Sequence, residues 1–333
     1  MTRAAVLGAG SWGTTFAQVL ADAGAEVTVW ARRAALAEQI NNEHRNEDYL
    51  PGIVLGDAVH GTSDPARALH GAELVVLAVP SQLLSANLRQ WRHLLPAHGP
   101  VVSLMKGVEL GTSRRMSEVI SQVGEVAERR VVVVSGPNLS HEIAQRQPAA
   151  SVVACLDHAL AETVARACAT SYFRPYTAVD VVGTEIAGAV KNVIALAVGM
   201  AQGLGLGDNS KASLITRGLA ETSRLGEALG ADPMTFSGLA GVGDLIATCM
   251  SPLSRNRTFG EELGRGRTVA QVSAASRQVA EGVTSCLSIQ QLAAANGVDM
   301  PITDSVVSVV HHDMAAAEMG QRLLSRARRP EQD

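Results

Sequence analysis

Aromatic residues are scarce: the 333-residue chain carries 3 Trp, 3 Tyr and 4 Phe. Its core must therefore be built from Ala, Val, Ile and Leu. At 47% hydrophobic and 18% charged residues, there is enough apolar material for one, and wholesale disorder is excluded. Cysteine is scarce as well. Cys155, Cys168, Cys249 and Cys286 lie far apart without a C-x-x-C pair, which argues against a disulfide framework or zinc site and for reduced thiols in a cytoplasmic protein. None of the nine histidines falls in an H-E-x-x-H pattern, and no metal is expected. Excess positive charge is missing too: a net charge of −4 argues against a surface built for nucleic acid, while leaving room for local basic pockets. The N-terminus turns glycine-rich at Gly8, too early for the apolar stretch of a signal peptide. The longest apolar run, 186–201, is short for a membrane span and is interrupted by Lys191 and Asn192. These absences leave a soluble chain of about two domains.

What is present has two textures. Up to about residue 180, short β-branched runs (4–7, 26–30, 73–79, 100–104, 130–135, 151–156) alternate with stretches long enough for helices. Continuous apolarity in such runs predicts strands buried on both faces, hence a Rossmann-type, doubly wound parallel α/β sheet. The run 172–179 contains Pro175, which places it at a sheet edge. Beyond residue 183, strand-like runs nearly vanish and helical spacing takes over, predicting an all-α C-terminal domain. The expected boundaries are 1–182 for dinucleotide binding and 183–333 for substrate binding and catalysis. Within the second half, 186–201 reads as a central helix and 214–229 as its amphipathic partner. His311-His312 reads as a solvated helix face and 326–333 as a frayed polar tail.

Gly8-Ala9-Gly10-Ser11-Trp12-Gly13 is a G-x-G-x-x-G between the first strand and the first helix. Gly8 permits the tight turn, Gly10 lets a pyrophosphate approach the backbone, and Gly13 allows close helix–strand packing, with the helix N-terminus offering its N–H groups to the anion. At the end of the second strand, where NAD sites usually place an acidic residue, stands Trp30-Ala31-Arg32-Arg33. Two guanidiniums there suit a 2′-phosphate, the alternative being solvated arginines that start a helix. NADP(H) is the expected cofactor, with NAD(H) also usable.

Three more loops fall at the carboxyl edge of the sheet: Val79-Pro80-Ser81, Met105-Lys106-Gly107 and Ser135-Gly136-Pro137-Asn138. Lys106 reads equally as a loop lysine or as a site cation. Lys191 is the only charged side chain in 186–201, so it either snorkels to solvent or points into a polar cleft, where partial desolvation would suit it to acid–base work. A second glycine cluster, Gly238-Leu239-Ala240-Gly241-Val242-Gly243-Asp244, follows no strand and reads as a loop leading into a helix over 244–248. Ser254-Arg255-Asn256-Arg257 gathers donors suited to phosphate, or is simply a polar loop.

In this order, together with Tyr49-Leu50-Pro51-Gly52, Lys191-Asn192 and Glu281-Gly282, these motifs resemble the bacterial NAD(P)-dependent glycerol-3-phosphate dehydrogenase family over nearly the whole chain. The resemblance implies reversible reduction of dihydroxyacetone phosphate to sn-glycerol 3-phosphate for phospholipid synthesis. It implies Lys191 as general acid/base with Asp244 beside it. Lys106, Gly136, Asn138, Ser254, Arg255 and Asn256 would line the substrate site. Ser11, Trp12, Arg32, Arg33, Tyr49, Ser140, Val279 and Glu281 would meet the cofactor, with Lys106 and Arg255 touching both ligands. A β-hydroxyacid dehydrogenase shares this layout and a helix lysine, but would act on a carboxylate. A non-catalytic NADP(H) sensor would bind without turnover. The Ala- and Gly-rich helical half is compatible with a homodimer.

Overall fold

The computed structural model describes residues 2–275 and 280–325; the tail 326–333 and Val279 lie outside them. The first half runs β1 (Arg3–Leu7), α1 (Ser11–Asp22), β2 (Glu26–Trp30), α2 (Ala34–Glu43), β3 (Val59–Thr62), α3 (Pro65–Leu69), β4 (Leu74–Leu77), α4 (Leu84–Trp91), β5 (Val101–Ser103), α5 (Met116–Val123), β6 (Val131–Ser135), α6 (Ser140–Ala144), β7 (Ala149–Ala154), α7 (His158–Cys168) and β8 (Phe173–Ala178). One eight-stranded sheet, ordered β3-β2-β1-β4-β5-β6-β7-β8, organises them. Every residue of β4 and β6 is buried, because helices cover both faces. Alternate residues of β1 serve opposite layers: Ala4 and Val6 join Phe16, Val29 and Ile40, whereas Ala5 and Leu7 join Leu88, Trp91 and Ile120.

The sheet departs from the expected reading in two places: one strand more than expected, and one strand that runs antiparallel. The extra strand, β3, has no apolar run, since Val59-His60-Gly61-Thr62 is a four-residue edge strand that buries only its two end residues. β7 runs antiparallel to β6 and parallel to β8. Residues 136–148 between β6 and β7 contain only the five-residue α6, about 8 Å of helix, too short to carry the chain back to the start of the sheet. β8, with Pro175, lies at the edge as expected.

The second half is helical: α8 (Val181–Gly203), α9 (Asp208–Ala228), α10 (Asp244–Met250), α11 (Arg255–Gly264), α12 (Val269–Ala275), α13 (Glu281–Ala295), α14 (Pro301–His311) and α15 (Ala316–Leu324). α8 exceeds the apolar run that announced it, because Asp180 caps it by accepting the Gly183 N–H at 2.8 Å. It is long and apolar enough to cross a membrane, yet 89% of its most apolar window is buried inside the protein, among α9, α10, α11, α13 and α14. Its crossing with α11 is made by glycines on both helices. A Cβ on Gly199 or Gly203 would stand 2.1 Å from the carbonyl oxygens of Arg257 and Glu261, and one on Gly260 or Gly264 would stand 2.1 and 2.3 Å from those of Leu196 and Met200. The two backbones touch with no side chain between them.

A buried ion pair joins the halves. Glu185 on α8 accepts the Ser117 N–H at 2.7 Å and pairs with Arg115 at 2.9 Å. Arg115 also bridges to Val108, closing the base of the loop that begins after Lys106. The 238–244 glycine cluster, expected as a plain loop, forms a wide π-type turn over Leu239–Gly243 that runs straight into α10. Cys155, Cys168, Cys249 and Cys286 are buried free thiols.

Candidate active site

The carboxyl edge of the sheet carries the glycine turn. Gly8 sits at φ +131°, and a Cβ there would meet the Ala78 carbonyl at 2.5 Å; one on Gly13 would meet the Gly8 carbonyl at 2.0 Å. Gly10 differs: nothing lies within 4 Å of where its Cβ would be. It begins α1 without a side-chain cap, and no acidic residue stands in the first turn, so the helix start is open to an anion. These residues fit a dinucleotide pyrophosphate. Trp12 packs edge-on to Phe16 at 5.6 Å and near Phe173 at 6.4 Å, with its buried Nε1 unpartnered among the described residues.

A loop over residues 45–52 is tied to this turn. Buried Asn46 donates to the Ala9 carbonyl at 3.0 Å and the Thr14 hydroxyl at 2.7 Å, while Ser11 donates to the Tyr49 carbonyl at 2.9 Å. Arg33 pairs with Asp48 at 2.6 Å and lies 6.0 Å from the Tyr49 ring centre, and Arg32 is exposed beside it.

Where the sheet meets the helical half, Lys106 from the β5 loop, Lys191 from the middle of α8 and Asp244 from the start of α10 converge. Lys106 Nζ donates to Asp244 Oδ2 at 2.5 Å and to the Gly136 carbonyl at 3.0 Å. Lys191 Nζ donates to Asp244 Oδ1 at 2.7 Å and lies 2.6 Å from Thr248 Oγ1. The Asp244 side chain is 1% exposed and the two lysines 13% and 11%. Burial lowers the Lys106 pKa to about 8, with nearby Lys191 adding to the depression and Asp244 opposing it. Gly188, one turn before Lys191, packs closely here: a Cβ there would stand 2.8 Å from Ser135 Oγ and in ordinary contact with the Lys106 stem.

The amide of Asn256 is engaged at both ends, accepting the Gly282 N–H at 2.9 Å and donating to Asn192 Oδ1 at 2.9 Å. Asn192 in turn donates to the Lys106 carbonyl at 3.4 Å. Burial pushes the Glu281 carboxyl up, while Arg255 and the Ser81 backbone pull it down. Ser254 caps α11 by accepting the Arg257 N–H at 3.3 Å. Asn138 donates to Ser151 at 3.1 Å, leaving its buried Oδ1 unpartnered among the described residues. Ser140 opens α6, and its carbonyl accepts from Thr15 at 3.1 Å.

Many of the expected residues thus fall into two groups: Gly8 to Gly13, Arg32, Arg33 and Tyr49 around the glycine turn, and Lys106, Gly136, Lys191, Asp244 and Asn256 linked by hydrogen bonds where the halves meet. Asn138, Ser140, Ser254, Arg255 and Glu281 belong to neither set of contacts as directly. Sequence reasoning missed Thr248, Asp48 and the bridging role of Asn192. Thr248 stands one helical turn after Asp244, a spacing that puts both on one face and could have revealed it.

A mostly parallel sheet with a glycine turn at its first crossover, joined to a helical half that supplies Lys191 and Asp244 beside Lys106, defines a nicotinamide-dinucleotide oxidoreductase. Residues 3–161 match the family model for the N-terminus of NAD-dependent glycerol-3-phosphate dehydrogenase, and residues 180–321 match that for its C-terminus. The chain is 61% identical over 329 residues to the glycerol-3-phosphate dehydrogenase (NAD(P)+) of Streptomyces griseus, covering 99% of this chain and 98% of that one. It is 58% identical over 332 residues to that of Thermobifida fusca, covering 99% of each. The solved glycerol-3-phosphate dehydrogenase of Coxiella burnetii superposes with a TM-score of 0.93 at 34% identity, over 98% of this chain and 99% of that one. The chain belongs to the NAD-dependent glycerol-3-phosphate dehydrogenase family. It is an oxidoreductase acting on glycerol 3-phosphate with a nicotinamide dinucleotide.

Proposed function

We propose that the chain reduces dihydroxyacetone phosphate to sn-glycerol 3-phosphate, and runs the reverse, with Lys191 delivering and recovering the proton. The observation that carries this is the fixing of Lys191 Nζ between Asp244 Oδ1 and Thr248 Oγ1. The bound nicotinamide supplies the hydride. As the substrate oxygen gains negative charge, the Lys191 ammonium stabilises it and then gives up its proton. Asp244 holds both ammonium groups, so the lysines do not repel each other out of register. Arg255, with Ser254 and Asn256 at the start of α11, anchors the substrate phosphate, whose binding energy orients the reacting carbon. Gly136 and Asn138 complete the substrate wall.

In the same reading, residues 1–182 bind the dinucleotide and 183–333 the substrate, NADPH is preferred through Arg32 and Arg33, and Ser140, Val279 and Glu281 contact the cofactor. The protein works in the cytoplasm, supplies phospholipid synthesis, and forms a homodimer through its helical half. Initial rates with dihydroxyacetone phosphate and each reduced cofactor test the proposal. Turnover with NADPH is expected; none with either cofactor overturns it, and binding without turnover would mark a sensor. Preference for a β-hydroxyacid in a substrate panel would favour the carboxylate-acting alternative.

A further inference from the structure

No carboxylate stands at the end of β2, where NAD sites hold the ribose hydroxyls, but the fold brings one there from another segment. Asp48 Oδ2 lies 2.6 Å from Arg33 Nη2, and the Arg33 guanidinium sits between that carboxylate and the Tyr49 ring. The segment carrying Asp48 is firmly placed. Asn46 is bound to Ala9 and Thr14, the Tyr49 carbonyl to Ser11, and Glu47 to Arg45 at 2.8 Å and to the Gly52 N–H at 3.1 Å. Ala9, Ser11 and Thr14 belong to the turn and helix start that fit the pyrophosphate, so Asp48 is held at the cofactor by the cofactor loop itself. The Arg33 and Asp48 side chains remain 52% and 50% exposed, within reach of a ligand.

We propose that Asp48 is a specificity-determining residue that admits NADH alongside NADPH. Its carboxylate accepts the adenosine ribose hydroxyls when they are free, and yields Arg33 to the 2′-phosphate when that group is present. An exposed ion pair is weak, so the exchange of partners on Arg33 costs little. The two cofactors meet this pair differently. A neutral diol donates hydrogen bonds to Asp48 with no charge conflict. A 2′-phosphate binds Arg33 but faces the Asp48 charge, which weakens its hold relative to an unopposed arginine. Asp48 thus moves the preference toward NADH from both directions. This inference rests on the reading that Arg33 meets the 2′-phosphate.

Asp48→Asn and Arg33→Gln, each measured with dihydroxyacetone phosphate and by fluorescence titration of NADH and NADPH, test it. Asp48→Asn keeps the size of an exposed side chain, so the thermal midpoint should not move. Its kcat/KM for NADH should fall about 10-fold, as expected for losing hydrogen bonds to a charged group, and that for NADPH should hold or rise. The Kd values should follow the same split. Arg33→Gln should weaken NADPH and spare NADH. If Asp48→Asn leaves the cofactor ratio unchanged, or lowers both cofactors equally, while Arg33→Gln shifts the ratio, the Asp48 proposal is overturned and the arginine reading stands. If neither variant shifts the ratio, the arginine reading fails and takes this proposal with it.

Discussion

Lys106 and Lys191 hold opposite oxygens of one carboxylate, at 2.5 and 2.7 Å from Asp244 Oδ2 and Oδ1. Two cations sharing one anion leave a single net positive charge on three largely buried side chains, where it acts more strongly than it would in water. In the proposed reaction, the substrate oxygen that gains negative charge meets that cation, while the phosphate is left to Arg255.

If Lys191 moves the proton, Lys191→Ala should lower kcat by about 10²–10⁴-fold, the usual size of a general acid–base contribution. NADPH binding, followed by fluorescence titration, should be unchanged, because the contacts of Lys191 are with Asp244 and Thr248 and not with the glycine turn. A variant retaining full turnover would move the proton donor elsewhere.

Lys106 gives a pH prediction. Its pKa of about 8 in the folded protein lies below the ordinary 10.5, because burial disfavours the ammonium. Between those values the unfolded chain binds the extra proton, so this group's contribution to stability rises with pH across that window. Activity runs the other way: as Lys106 loses its charge, kcat/KM for dihydroxyacetone phosphate should fall above about pH 8. Lys106→Arg keeps its charge at every accessible pH and should remove that alkaline limb, whatever it costs in absolute rate.

Breaking the buried pair between the halves should be costly. Glu185→Ala leaves Arg115 and the Ser117 N–H without their acceptor, and should lower unfolding free energy by about 3 kcal/mol in urea titrations. Because Arg115 closes the base of the loop after Lys106, the surviving folded protein should also show a raised KM for substrate. Glu185→Gln, which can still accept the Ser117 N–H, should lose less.

At the helix crossing, Gly260→Ala would set a methyl group 2.1 Å from the Leu196 carbonyl. Neither backbone can step aside without moving its whole helix, so a loss of about 1–3 kcal/mol or more in thermal or urea unfolding is expected. An unchanged midpoint would mean that α11 shifts freely.

Much of this was readable in the sequence where the cause is local. The glycine turn occupies six consecutive residues, the buried strands carry their own apolar runs, and Lys191 is the only charged side chain in the apolar run 186–201. β3 escaped notice because an edge strand with His60 and Gly61 has no apolar run to show. The direction of β7 depends on how little helix lies before it, not on its own residues. The pairing of Glu185 with Arg115 spans 70 positions, and that of Arg33 with Asp48 depends on how Asn46 anchors the intervening loop. No pattern within a short window encodes such contacts.

The contact between α8 and α11 has one more consequence. Side chains at a helix interface can change rotamer and let the spacing drift, whereas two backbones in contact have nothing left to adjust. Lys191 lies on one of these helices and Arg255 begins the other, so the crossing works as a gauge block between the proposed proton donor and the proposed phosphate anchor. A gauge of fixed length measures its substrate, and a molecule one carbon longer between phosphate and carbonyl would engage one end of the site or the other, but not both.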